Sequence, residues 1–284
     1  MRRHLSTWGL VLAVLAAALG AGGLWFSRAY LVGTGGSSED AEASLLQFPA
    51  PPVPPRIAED EDYDRCLGML SSDPEGAKAF AEAWEATGGG SSAEHCGALA
   101  EIALGNAETG AEMLDHLAAT AEAPEATRGM IYDQAAQAWM MANSPTRAYG
   151  ASTMALALAP DNPDLLIDRA VAAASLERFR EAITDLDRAL EIEPRREDAL
   201  VYRASSWRHL GEWVRAEEDI DEALSLDPDN ANALLERGIL RQRRGDLAGA
   251  RADWQRAIEL APNTSTSDLA EQNLALLEMG PERR

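Results

Sequence analysis

Lysine is almost missing from this 284-residue chain: Lys78 stands alone, and arginine supplies every other fixed positive side chain. Acids outnumber bases 47 to 25, for a formal net charge of −22. Nucleic acid is therefore an unsuitable partner, because phosphate binding needs a cationic footprint, and the same charge disfavours an anionic bilayer face. Histidine and cysteine are scarce, four and two residues. Strand-like alternation of apolar and polar residues is absent. Gly88–Gly90 neither follows a strand nor leads to a Walker-type lysine, and no serine sits in a nucleophile-elbow context. His209 has no recognisable nucleophile beside it. No catalytic set, cofactor or metal is expected. Cys66, His95, Cys96 and His116 could be assembled into a zinc set, but adjacent His-Cys is not a usual ligand spacing. The many arginines and alanines fit a GC-rich bacterial genome.

What is present begins with one uncharged run, Trp8–Phe26, of 19 residues. As a helix it would span ~28 Å, close to the ~30 Å hydrocarbon core of a bilayer. Tryptophan stands at Trp8 and Trp25, near its two ends. Arg2 and Arg3 precede it, so the amino terminus is expected to stay cytoplasmic and the remainder to be exported. The alternative is a signal peptide cleaved near Ala16-Ala17-Ala18, leaving a soluble exported protein. Segment 1–7 is then a short cytoplasmic terminus, 8–26 an anchor, and 27–58 a disordered tether. Gly33–Ser38 supplies its flexible part, and the five prolines of Pro49–Pro55 an extended spacer.

Beyond the tether a pattern repeats. Pro160, Pro194, Pro228 and Pro262 are 34 residues apart. In blocks starting at Gly129, Pro163, Glu197 and Ala231, position 8 is Ala136, Ala170, Ala204 and Gly238. Position 20 is Ala148, Ala182, Ala216 and Ala250; position 27 is Ala155, Ala189, Ala223 and Ala257. Small residues at fixed places let two helices approach closely, and Trp139, Leu186, Trp207, Ile220 and Trp254 fill the space between them. Apolar residues recur three and four apart, so each block predicts two amphipathic helices. Proline ends each block because it cannot continue a helix. The turn between the helices carries Gly211 and Gly245 in the last two blocks, and Leu176-Glu177-Arg178 without glycine in the second.

The period of 34, the small residues at 8, 20 and 27 and the closing proline resemble the tetratricopeptide repeat family. The resemblance implies an all-α solenoid of helix pairs with four repeats, 129–162, 163–196, 197–230 and 231–264. Region 265–284 supplies a capping helix over Leu269–Met279 and a tail. Region 59–128 reads as two divergent repeats, or as an unrelated helical cap. Cys66 and Cys96 fall on neighbouring first helices there. They pair as a disulfide if the region is exported, and remain two buried thiols otherwise.

The register also aligns charged columns. Arg169, Arg203 and Arg237 occupy position 7; Asp185, Asp219 and Asp253 occupy position 23; the first block has Ala135 and Ala151 instead. Joint presence suggests structural pairs between the two helices, the alternative being an arginine ladder for an acidic ligand. In the family the concave groove is lined from positions 2, 5, 9, 12 and 13 of the first helices. Carried over, positions 5 and 9 give Asp133, Gln137, Ile167, Val171, Val201, Ser205, Leu235 and Ile239, and position 12 gives Met140, Ala174, Arg208 and Gln242. The family's lysine-asparagine carboxylate clamp is missing from every block. An apolar strip fit for an amphipathic helix is expected instead, unless these residues pack between repeats. The resulting expectation is a membrane-anchored scaffold in a bacterial inner membrane. Its repeats face the periplasm, bind a protein or peptide and aid complex assembly. The alternatives are a holder of apocytochrome c during cytochrome maturation and a soluble exported form.

Overall fold

The computed structural model describes residues 56–279, and among these the secondary structure is helical throughout, thirteen α-helices with no strand. The expected anchor 8–26 and the tether up to residue 55 lie outside the described residues. Among the described residues, no helix is long and apolar enough to cross a membrane.

Four helices come first: α1 (Glu61–Met69), α2 (Pro74–Ala86), α3 (Gly90–Ala103) and α4 (Ala107–Thr120). Then come α5 (Glu125–Met141), α6 (Pro145–Leu158), α7 (Pro163–Ser175), α8 (Phe179–Ile192), α9 (Glu197–His209) and α10 (Trp213–Leu226). The array closes with α11 (Ala231–Arg243), α12 (Leu247–Leu260) and α13 (Ser265–Met279). The second helices α6, α8, α10 and α12 each end two residues before the block's proline, at Leu158, Ile192, Leu226 and Leu260. Departures from strict period occur at the ends. Helix α5 begins at Glu125, just after Pro124, rather than at Gly129, and α13 starts four residues ahead of Leu269.

Sequential helices pack antiparallel, and first helices of successive pairs also touch: α5 with α7, α7 with α9, α9 with α11. The first helices thus form one layer of the solenoid and the second helices the other. The small-residue columns are the seams. Every alanine at positions 8, 20 and 27 is at most 1 % exposed. Size is exchanged across the seam in the last block. Trp254 stands where Leu186 and Ile220 stand in earlier blocks, and position 8 opposite it is Gly238. A methyl group on Gly238 would overlap the indole of Trp254, which is fully buried and donates to Leu235 O at 3.1 Å.

The turn closing each first helix needs one residue in the left-handed region. Gly211 (φ 78°) and Gly245 (φ 85°) supply it; in the second block Glu177 (φ 58°) does so with a side chain. A left-handed L-residue is disfavoured relative to glycine, chiefly because its Cβ meets the carbonyl that follows.

Two stability outcomes are expected. Gly238→Ala gains about 1 kcal/mol of helix propensity but overpacks against Trp254 at a cost of about 1–3 kcal/mol. Its urea midpoint falls; a rise would contradict the packing described here. Glu177→Gly relieves the turn and raises the midpoint by the equivalent of about 0.5–1 kcal/mol. An unchanged or lower midpoint counts against backbone strain at that turn.

Candidate functional site

The three arginine–aspartate pairs each join the two helices of one block. Arg169 Nε and Nη2 donate to Asp185 at 2.8 and 2.7 Å. Arg203 does the same to Asp219 at 2.9 and 2.7 Å, and Arg237 to Asp253 at 3.0 and 2.8 Å. Such two-pronged contacts are the strongest form of this interaction. The aspartates are buried, and the arginines keep part of their length at the surface. Burial pushes the Asp219 carboxyl up, and the guanidinium of Arg203 opposes that shift. Arg203 also meets Asp187 at 2.8 Å, and Arg241 adds a second arginine to Asp253 at 2.7 Å. These arginines are spent on carboxylates inside the array, so the geometry is that of a brace between paired helices.

Cys66 on α1 and Cys96 on α3 form a disulfide, with Cα atoms 6.3 Å apart. Beside it runs a chain of buried polar groups. Ile57 N–H donates to Tyr63 Oη at 3.4 Å, and Tyr63 Oη donates to His95 Nδ1 at 2.7 Å. His95 Nε2 donates to Gln134 Oε1 at 2.5 Å. Gln134 Oε1 can only accept, which places a proton on His95 Nε2 and leaves Nδ1 of the neutral ring to accept from the phenol. Burial pushes its pKa down to about 4. Both ring nitrogens are committed, and the two sulfurs are bonded to each other. The four side chains weighed for zinc are therefore not arranged as a ligand set.

The expected groove residues do not form an open apolar strip. Ile167, Val171, Val201 and Leu235 are at most 5 % exposed; they belong to the core between repeats. The reason is the close spacing of the first helices, which turns positions 5 and 9 toward the neighbouring repeat. Arg208 is also buried. Its Nε donates to Glu236 Oε2 at 2.7 Å and its Nη2 to Glu236 Oε1 at 3.2 Å, across the α9–α11 seam. Asp133, Gln137, Ser205 and Ile239 stay half-buried. Accessible polar groups on this layer include Asp164 and Asp198, which are bridged by Arg196 at 2.8 Å to each. Arg243, farther along, lies 3.6 Å from the Trp213 ring centroid.

One functional column escaped the sequence reading. Position 6 of the four blocks is Gln134, Asp168, Tyr202 and Glu236. Three of these are buried, and Tyr202 is half-buried. Three reach back to the preceding first helix: Gln134 to His95, Asp168 to Gln137, and Glu236 to Arg208. The signal was available as a polar residue recurring every 34 residues among apolar neighbours. Its meaning was not, because the partners sit at different positions in each preceding repeat.

The fold is that of an α-helical solenoid, a class whose members present a continuous layer of first helices. Its regular blocks match the tetratricopeptide repeat: a sequence profile of that name covers residues 136–205 and 209–275. No curated protein sequence matches the chain. Among solved structures it is similar to TTC0263, a thermophilic tetratricopeptide protein of Thermus thermophilus. There the TM-score is 0.53 at 19 % identity, over 67 % of this chain and all of that one. It is also similar to the anaphase-promoting-complex hetero-tetramer Cut9–Hcn1, with a TM-score of 0.56 at 15 % identity over 75 % of this chain. That match takes in only 42 % of the other chain. A third likeness is to MamA from Desulfovibrio magneticus, TM-score 0.52 at 15 % identity, over 60 % of this chain and 94 % of that one. At these identities the likeness is one of fold.

Truncating Arg203→Ala leaves Asp219 and Asp187 without their guanidinium. The expected loss is about 2–4 kcal/mol, at the lower side of a fully buried pair because Arg203 is partly solvated. Adding Asp219→Ala should cost less than the sum of the single losses. Strict additivity by denaturant titration would show that the two do not act as a pair.

Proposed function

We propose that this chain is a membrane-anchored scaffold that binds a protein or peptide segment along the layer of first helices α5, α7, α9 and α11. The observation that carries the reading is that layer itself: consecutive tetratricopeptide repeats align four first helices, with Gln137, Asp164, Asp198 and Ser205 still reachable by solvent. The solved structures it resembles support a repeat scaffold in fold. One of them, Cut9–Hcn1, is a hetero-tetramer.

The accessible chemistry favours a polar, cationic partner segment over the purely apolar helix suggested by the sequence. The apolar residues of positions 5 and 9 in α7 are in the core, and the residues left in the open there are largely acidic. A net charge of −22 adds a long-range field that would steer a basic segment toward the array. The uncharged run 8–26, with Arg2 and Arg3 ahead of it, supports anchoring in a bacterial inner membrane with the repeats on the periplasmic side. A disulfide between Cys66 and Cys96 suits such an oxidising compartment. Binding, with no chemistry of its own, is the proposed mode of action, and assembly of a larger complex its use.

The test is in-cell crosslinking and pull-down of the wild type beside an Asp164→Lys/Asp198→Lys variant. Both carboxylates are surface groups, so helix content by circular dichroism should be unchanged. Partners lost from the variant, with capture weakening at high salt, are the expected result; an identical partner set would overturn the acidic-face reading. Finding the original amino terminus in the membrane fraction tests the anchor, and a soluble mature form starting near residue 20 would refute it.

A further inference from the structure

The seams between first helices are not built alike. Between α9 and α11 the buried charges are opposite, Arg208 against Glu236. Between α5 and α7 they are of one sign. Asp133 on α5 and Asp168 on α7 face each other across the seam, close enough that each carboxyl perturbs the other. The side-chain donor placed between them is Gln137, whose Nε2 serves Asp133 Oδ2 at 3.3 Å and Asp168 Oδ2 at 3.2 Å. Asp168 is buried. Asp133 Oδ1 is also out of solvent and receives no hydrogen bond from any amide, hydroxyl or cationic group among the described residues. A buried carboxylate oxygen without a donor is costly, and two ionised carboxylates in contact there would be costlier still. A single proton resolves both problems: carried by Asp168, it is donated to Asp133, turning a repulsive contact into a charge-assisted hydrogen bond.

We infer that Asp133 and Asp168 share one proton and form a pH-sensitive latch between the first two full repeats, closed when that proton is bound and strained when it is lost. The surroundings favour the closed form. Facing Asp168 are Asp133 and Gln137 from α5, Asp164 from its own helix, and the phenol of Tyr202 on α9 with Asp198 behind it. Arg196, just ahead of α9, is occupied by Asp164, Asp198 and Glu193. No positive group among the described residues is therefore aimed at the pair. Burial, and next the charge of Asp133, hold the Asp168 carboxyl well above the usual carboxylate range; burial also raises Asp133.

The sign follows from linkage. With the native carboxyl binding its proton more tightly than the unfolded one, the stabilisation is complete below the ordinary aspartate range. It is lost as pH rises through the raised native value. His95 works the other way: held near pKa 4 by burial, it loses stability as pH falls from its ordinary 6.5 toward that value. Comparing the wild type with a variant lacking only the latch cancels this opposing contribution.

Asp168→Asn is nearly isosteric and supplies a permanent donor toward Asp133. Melting temperatures of the full-length chain and of this variant are measured from acid to mildly alkaline pH. The variant is expected to melt several degrees above the wild type at the alkaline end, with the difference shrinking or reversing in acid. Profiles that run parallel would overturn the latch. Infrared spectroscopy of the wild type gives a readout that needs no variant. A buried protonated carboxylic acid shows a carbonyl band that persists well above the pH at which surface aspartates ionise, and it is expected here. Absence of such a band would refute the shared proton, even if Asp168→Asn failed to fold. Asp133→Asn should lower the pH at which that band titrates, with burial keeping part of the upward displacement; a band titrating unchanged would assign it to another carboxyl.

Discussion

A single helix pair of this chain cannot cover its own apolar face. That one constraint organises the molecule. Each pair hides its remaining apolar surface against the next, and stacking works only if backbones come close. The alanines at positions 8, 20 and 27 make the approach, and their near-complete burial shows how little space is left. Where a larger side chain is admitted, as with Trp254, the opposing position shrinks to Gly238. A stack so tight has consequences for everything polar that falls within it.

Those consequences appear as paired charges. Asp185, Asp219 and Asp253 lie inside the seam between the helices of a block, and each is met by an arginine sixteen residues earlier. Position 6 extends the demand to the seams between blocks. Gln134, Asp168 and Glu236 each find a different partner on the helix before: an imidazole, an amide with a carboxyl, and a guanidinium. A common backbone arrangement is thus completed by unlike chemistry at each step. The like-charged step between α5 and α7 is the one with a proton to gain or lose.

Much of the architecture was legible from residue spacing, because a 34-residue period leaves the same mark four times. The prolines placed the ends of α6, α8, α10 and α12, and the glycines marked two of the turns. The groove was read less well. Ile167, Val171, Val201 and Leu235 look, in sequence, like either a lining or a core, since both require apolar side chains at the same helical positions. Only the distance between neighbouring first helices separates the two, and it puts all four in the core. Arg208 was legible as a cation but not as half of a buried pair, because Glu236 stands in the next repeat at a spacing that matches no other pair.

The amino-acid sequence by itself determined the helical repeat, its register and the residues facing each seam, since these follow from periodicity and from what proline and alanine do to a helix. The tertiary structure decided which of those residues remain open to a partner, and which polar groups meet across repeats. Burial and hydrogen bonding between first helices depend on how closely the pairs stack, and that spacing is a property of the assembled array.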